Sequence, residues 1–467
     1  MSSFTVQDII RATRGALVGG DLGVLVTGVS IDTRTLAVGE AFFAIKGHRL
    51  DGHDYLGDAA ARGAGCLIVH ALPDDVPAGV PLVMVDDTTK ALGRLAAWHR
   101  SRFDIPVVAI TGSNGKTTTK EMVAGVLGTR WRTHRPRSSF NNQWGLPLTL
   151  FALGAEHEAV VLEIGANQPG EIAYLAGIAR PTVSVVTIVT AQHTEFFRSI
   201  EGVRDEKAAL VRAVGADAFA VLNADDPRVL GMARDTSATV VTYGRAATAR
   251  VRATAERDTE SGVEFTLEAD GGRQDVSLAF AGRHNVVNAL AASAAGVALG
   301  FSLAKNAEGL AAARPVAGRC VWKSAGGVRI LDDTYNANPV SVAAALDIVA
   351  AHRGASRFVV VLGDMLELGG ITDEAHREVG RRIAEAAPAH FVGVGRHAAL
   401  AVEAARGAGV ADAKSTATFE DTMAELLKRV VPGDLVLVKG SRGLRMERVV
   451  DALVARLHRP EPGTAQE

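Results

Sequence analysis

The sequence predicts an α/β protein in several domains, the central one built on a mainly parallel sheet. Three observations carry this. Residues 107–313 alternate apolar strand-like runs with helical patterns, and the same alternation restarts at residue 328 and runs to residue 438. Between the first apolar run and its helix lies a glycine-bearing turn, Thr111-Gly-Ser-Asn-Gly-Lys-Thr117, of the kind that cradles phosphates. A chain of 467 residues is too long for one compact core, and roughly two to four domains follow.

In the N-terminal part, residues 29–34 and 41–45 alternate as strands, 58–63 reads as a short helix and 66–70 as a strand. Residues 88–100 read as a helix that hands over, after Pro106, to the apolar strand 107–110. Met122, Val123, Val126 and Leu127 then repeat at helical spacing. Further strands are expected at 159–164, 183–189 and 219–223. The polar, Thr/Arg/Glu-rich stretch 249–281 alternates with period two, as antiparallel edge hairpins do, and an Ala-rich helix at 286–299 follows. A boundary is expected near 313–318, Ala-Arg-Pro-Val-Ala-Gly. Beyond it, strands at 328–332, 358–362, 391–394 and 435–438 alternate with helices as a second, smaller doubly wound domain. The divisions expected are 1–104, 105–314 and 315–458, with a disordered tail at 459–467.

Composition excludes several classes. Net charge is −2, which gives no reason to expect nucleic acid or an anionic membrane as partner. Cys66 and Cys320 are the two cysteines, so neither a disulfide framework nor a zinc pattern exists. No apolar run approaches the roughly 20 residues of a membrane span. The first ten residues carry no signal-like apolar core, and a cytoplasmic location without membrane insertion is expected.

The turn at 112–118 is the strongest chemical signal. Gly112 and Gly115 let backbone N–H groups, with those of Ser113, Asn114 and Thr118, approach phosphate oxygens. Lys116 neutralises β/γ charge and Thr117 reaches a Mg²⁺, so ATP is the expected ligand. Ile110 stands where the usual loop has its first glycine. Glu163 closes an apolar strand, either as a Mg²⁺ ligand or as a strand-end carboxylate facing solvent. His193 and Glu195 follow the next strand on the same edge, where the histidine is a second metal ligand or a surface residue. Lys207, on an amphipathic helix, reads as a solvated surface lysine. Asn285 reads best as a helix cap, with its neighbours touching a nucleotide base or anion as the alternative. Asp332, Asp333, Asn336, Asn338 and Ser341 gather at a strand-to-helix turn, as turn chemistry or as a substrate edge. Lys439 and Arg442 follow the last strand and offer cations to an anionic substrate.

Taken together and in order, these segments resemble the Mur ligases of peptidoglycan synthesis. The motifs that carry the resemblance begin with Thr111 to Thr118 and Glu163-Ile-Gly-Ala-Asn-Gln-Pro-Gly-Glu171. Next come Tyr335-Asn-Ala-Asn-Pro339 and Leu362-Gly-Asp-Met-Leu-Glu-Leu-Gly369 with His376, Arg377 and Glu378. Val438-Lys-Gly-Ser-Arg-Gly-Leu-Arg-Met-Glu-Arg448 completes the set, and the match runs from Asp32 to Arg448.

The resemblance implies three domains: an N-terminal mixed α/β domain for a UDP-sugar, a central P-loop ATPase and a C-terminal Rossmann-like domain. It implies ATP, about two Mg²⁺ ions, and joining of D-alanyl-D-alanine to UDP-N-acetylmuramoyl-tripeptide through an acyl phosphate, by a monomer. Lys116 and Thr117 would hold the phosphates and first Mg²⁺; Glu163 and His193 would serve the second, with Lys207 carbamylated beside them. Asn285, Arg319 and Asp333 would contact the nucleotide. Ser30, Asp32, Thr33 and Arg34 would meet the uridine end; Asn336, Asn338, Lys439 and Arg442 are expected at the substrate edge from their own placement at strand ends. Around residue 193 the sequence reads Gln-His-Thr-Glu where the family commonly has Ala-His-Leu-Glu. The rival readings are a sister ligase adding one amino acid or a folylpolyglutamate-type ligase, both opposed by the Asn-Ala-Asn-Pro turn. A P-loop ATPase without ligase activity leaves the terminal motifs unexplained.

Overall fold

A computed structural model of the chain describes residues 3–47, 49–73, 79–136, 139–191 and 194–458. The expected tail therefore lies outside the described residues, as does His193.

The central part is a nine-stranded sheet. Its spatial order is Gly272–Leu278, Gly262–Ala269, Val251–Thr259, Thr239–Gly244, Phe219–Asn223, Val183–Val186, Val107–Thr111, Ala159–Glu163 and Thr133–His134. The strands from Val251–Thr259 to Thr133–His134 pair in parallel, and the three nearest the other edge form antiparallel hairpins. Period-two alternation sorts the core onto two faces. Val107 and Ala109 join the cluster shared with the N-terminal part, whereas Val108 and Ile110 join the one covered by helices Lys116–Gly128, His284–Ala298 and Leu303–Ala312.

The N-terminal part carries a five-stranded sheet ordered Ala16–Gly19, Leu82–Met84, Cys66–Val69, Ala41–Phe43 and Val29–Ser30. Helix Thr88–Arg100 ties it to the centre: Arg100 Nε donates to Ala179 O at 3.1 Å. The C-terminal sheet runs Val321–Ala325, Val328–Asp333, Leu435–Lys439, Phe358–Gly363, His390–Val394 and Ala413–Thr416, parallel except at its first pair. Here too the faces alternate, with Phe358, Val360 and Leu362 on one side and Val359 and Val361 on the other.

Where the strands differ from the sequence reading, local hydrogen bonding explains it. The strand expected over 29–34 stops at Ser30, because the Asp32 carboxylate accepts Arg34 N at 3.0 Å and turns the chain. The strand expected over 183–189 ends at Val186. Its continuation is diverted to the glycine turn, with Ser113 N donating to Ile188 O at 2.7 Å. Val321–Ala325 and Ala413–Thr416 are edge strands too polar to read as such. Among the described residues no helix is long and apolar enough to cross a membrane.

Helices Lys116–Gly128 and Leu303–Ala312 cross at two glycines. A Cβ on Gly309 would stand 2.4 Å from Val126 Cα, and one on Gly125 would stand 2.5 Å from Gly309 O. Gly309→Ala is therefore expected to destabilise the chain by about 1–3 kcal/mol. Gly177→Ala, in helix Glu171–Ala179 with nothing within 4 Å of its added methyl, should stabilise by about 0.5–1 kcal/mol. Urea unfolding followed by tryptophan fluorescence checks both.

Candidate active site

Helix Lys116–Gly128 begins at Gly115 with φ +82° and has no side-chain cap, so its first N–H groups are left to an outside acceptor. Gly112, at φ +145°, brings the turn against Thr187, where a Cβ would lie 1.8 Å from Thr187 Oγ1. A Cβ on Gly115 would lie 2.3 Å from Asn288 Oδ1. The turn is pinned from beneath. Thr187 Oγ1 donates to Asn114 O at 2.6 Å, and Thr190 N donates to Ser113 Oγ at 3.0 Å. Lys116 Nζ folds over the turn and donates to Gly112 O at 2.7 Å and Ser113 O at 3.3 Å. Burial pulls its pKa down against the opposing pull of Glu163. Thr118 is half-buried on the first helical turn.

Thr117 is the meeting point. Its Oγ1 donates to Glu163 Oε2 at 2.8 Å, lies 3.2 Å from Ser139 Oγ and accepts from Arg319 Nη2 at 2.9 Å. Glu163 is buried, not facing solvent, and its Oε1 accepts from Asn141 Nδ2 at 2.7 Å. Asn141 also accepts Gly165 N on its backbone carbonyl, at 2.9 Å, which clamps the strand end from both sides. The oxygens of Thr117 and Glu163 are the hard donors that Mg²⁺ favours.

Lys207 corrects the sequence reading. It is 4% exposed, on helix Ile200–Arg212, and makes no hydrogen bond or ion pair with any described residue. Burial and then the charge of Lys116 push its pKa down to about 7, with Glu206 opposing. The helix turns its 206–207 edge inward because the Glu206 carboxylate accepts Gly170 N at 2.7 Å and Ile172 N at 2.8 Å, capping the next helix.

Asn285 does not cap its helix either. The N-cap of His284–Ala298 is Arg283, without a side-chain bond. Asn285 is buried, donates to Ala281 O at 2.8 Å and accepts from Asn288 Nδ2 at 2.9 Å. Asn288 Oδ1 accepts from Thr119 Oγ1 at 3.3 Å, so a buried amide pair joins this helix to the glycine turn.

The C-terminal part reaches the same place. Asn338 caps helix Pro339–His352, and its Nδ2 donates to Asn114 Oδ1 at 2.8 Å. At the other end of that helix, His352 Nε2 lies 3.0 Å from Thr259 O. Asp333 pairs with buried Lys439, whose Nζ also donates to Asn336 O at 2.9 Å. Arg442 is largely exposed, with Nη1 donating to Glu447 Oε1 at 3.0 Å. No hydrogen bond or ion pair among the described residues links Ser30, Asp32, Thr33 or Arg34 to this cluster. Arg34 grips Asp32 through Nε and Nη2, at 2.9 and 2.6 Å, and this hydrogen bonding holds the Asp32 carboxyl below its usual range.

Sequence reasoning missed Ser139, Asn141, Thr187, Glu206 and Asn288. A polar run before Trp144, between a strand and a helix, was a readable signal for the first two. The others are visible only once the elements pack.

Residues 25–100 match "Mur ligase family, catalytic domain", 110–296 match "Mur ligase middle domain" and 318–442 match "Mur ligase, glutamate ligase domain". UDP-N-acetylmuramoyl-tripeptide–D-alanyl-D-alanine ligase of Escherichia coli strain K12 is 38% identical, over 97% of this chain and 99% of that protein. A crystal structure of MurF from Acinetobacter baumannii superposes with TM-score 0.90 at 32% identity, covering 97% of this chain and 99% of that one. MurF ligase from Thermotoga maritima, in complex with ADP, gives TM-score 0.81 at 28% identity, covering 92% and 97%. The chain belongs to the Mur ligase family.

Proposed function

We propose that this protein is an ATP-dependent, ADP-forming ligase that joins D-alanyl-D-alanine to UDP-N-acetylmuramoyl-tripeptide, giving the UDP-linked pentapeptide of peptidoglycan synthesis. The observation that carries this reading is the convergence on Thr117, where Glu163 from the central sheet and Arg319 from the C-terminal part meet one hydroxyl beside Lys116. The name of the E. coli relative supports a dipeptide over a single amino acid. We divide the chain at residues 104 and 314 and take it to act as a cytoplasmic monomer.

In the first step the tripeptide carboxylate attacks the γ-phosphorus and ADP leaves, giving an acyl phosphate. A carboxylate and a triphosphate repel, so positive charge must stand ready before they meet. Lys116 and Arg319 supply it, and the uncapped helix N-terminus receives the phosphate chain. Mg²⁺, when bound, screens the phosphate oxygens and polarises the phosphoryl group. Thr117 and Glu163 would hold one ion, and Glu163, His193 and a carbamate on Lys207 a second. Among the described residues no group of three His, Cys, Asp or Glu gathers; the further oxygens such ions prefer would come from phosphate and water. In the second step the dipeptide amine attacks the acyl carbon, and phosphate leaves from the tetrahedral intermediate. Asn338 against Asn114 closes the C-terminal part over the turn and keeps water from the acyl phosphate. The Asn285–Asn288 pair would face the nucleotide, Asn336, Lys439 and Arg442 the incoming amine substrate, and Ser30 to Arg34 the uridine.

Lys207 fits carbamylation on physical grounds. Only a neutral amine attacks CO₂, and a pKa of about 7 leaves a large neutral fraction at neutral pH.

Purified protein is expected to release phosphate only with ATP, UDP-N-acetylmuramoyl-tripeptide and D-alanyl-D-alanine all present; equal turnover without the dipeptide overturns the reading. Lys116→Ala should lower kcat roughly 10²–10³-fold, measured in the same assay. For Lys207, the folded state releases its proton near pH 7 while the unfolded chain keeps it up to the ordinary lysine value of 10.5. Between these values the unfolded state binds more protons, so stability rises with pH, by up to about 1.4 kcal/mol per pH unit. Urea midpoints in bicarbonate-free buffer from pH 7 to 9 should show this rise in the natural chain and a flatter profile in Lys207→Met.

A further inference from the structure

Arg319 is an unusual cation. Among the described residues the one hydrogen-bond partner of its guanidinium is Thr117, and no carboxylate pairs with it. Its Nε is buried without a hydrogen-bond partner. Yet the guanidinium is not loose: its Cζ stands 4.0 Å from the centroid of the Tyr335 ring. Arg442 lies against the same ring at 5.7 Å.

The backbone that carries the ring is fixed. Tyr335 N donates to Gly318 O at 3.0 Å, one residue before Arg319. Gly318, at φ +72°, is pressed so close that a Cβ would stand 3.0 Å from Thr334 Oγ1 and 3.2 Å from Tyr335 N. Thr334 in turn donates to the buried Asp332 at 2.7 Å. The backbone tie thus keeps Tyr335 beside Arg319, with its ring against the guanidinium.

We propose that Tyr335 is a positioning residue, whose ring aims the Arg319 guanidinium at the phosphate site without neutralising it. A carboxylate partner would orient an arginine equally well but would cancel the charge that a phosphoryl group needs. An aromatic face orients the cation through its quadrupole and leaves the N–H groups free to turn to phosphate oxygens. This inference rests on the reading above in which Arg319 meets the transferred phosphoryl group.

The test compares Tyr335→Leu, Tyr335→Phe, Arg319→Ala and the double variant Tyr335→Leu/Arg319→Ala, as full-length protein in the three-substrate phosphate assay. Tyr335→Leu should lose roughly ten- to thirtyfold in kcat, with KM for UDP-N-acetylmuramoyl-tripeptide unchanged. Tyr335→Phe, which keeps the ring, should recover most of that loss. The double variant should be no slower than Arg319→Ala, because the ring acts through Arg319 while Arg442 is held separately by Glu447. If Tyr335→Leu keeps full kcat while Arg319→Ala loses it, the positioning role is overturned and the arginine's role stands. If the two losses multiply in the double variant, Tyr335 acts independently and the proposal fails. If Arg319→Ala keeps full kcat, the phosphate reading of Arg319 fails and takes the proposal with it. Tyr335→Met is read by the same criteria should the leucine variant not fold.

Discussion

The unsatisfied N-terminus of helix Lys116–Gly128 is the constraint on which the rest of the site depends. Gly115 provides no side chain to cap it, and its positive φ turns the chain into the helix. Such a turn holds its shape only if its neighbours hold it. Thr187 and Asn288 approach so closely that Gly112 and Gly115 have no room for a Cβ. The strand after Val186 abandons its ladder to bond Ser113, and Tyr243 and Asn223 bond the freed carbonyls, with Tyr243 Oη donating to Val186 O at 2.9 Å and Asn223 Nδ2 to Thr187 O at 2.8 Å. A buried polar scaffold thus holds the turn in shape while the first N–H groups of the helix stay open to an outside acceptor.

The same turn organises the domains. Arg319 and Asn338 both come from the C-terminal part and both end on it, one at Thr117 and one at Asn114. Helix Pro339–His352 is braced on the central part at each end, by Asn338 and by His352 against Thr259. Between them Ile348 packs where a Cβ on Gly282 would stand 2.5 Å from its Cγ1. The C-terminal part is therefore tied to the turn through this helix as well as through the linker.

Much of this was legible in the sequence. Strand and helix periods located the sheets, since a buried parallel strand such as 107–110 is apolar throughout and its helix repeats every three to four residues. The glycine turn named its ligand because its chemistry is local. Lys207 was not legible: an amphipathic pattern places charged residues outside, and only the capping of Gly170 and Ile172 by Glu206 shows that this edge of the helix faces inward. Asn285 failed for a related reason, its amide being drawn to Asn288 rather than to the helix end. Polar residues that act across elements carry no periodic signature.

Charge balance gives the buried lysine a purpose on the proposed reading. Among the described residues, Lys116, Lys207 and Arg319 face one unpaired buried carboxylate, Glu163, because Glu206 is occupied by backbone amides and Asp333 by Lys439. Crowded cations with little water favour the neutral form of whichever gives up a proton most readily. Arginine holds its proton too firmly, and Lys116 is supported by Glu163, so the shift falls hardest on Lys207. A neutral buried amine no longer repels its neighbours, and it is the form that takes up CO₂. The carbamate so formed would carry negative charge where cations were in excess and would supply the oxygens that a second Mg²⁺ requires. The electrostatic stress that makes Lys207 a poor cation is thus what suits it to become a metal-holding anion.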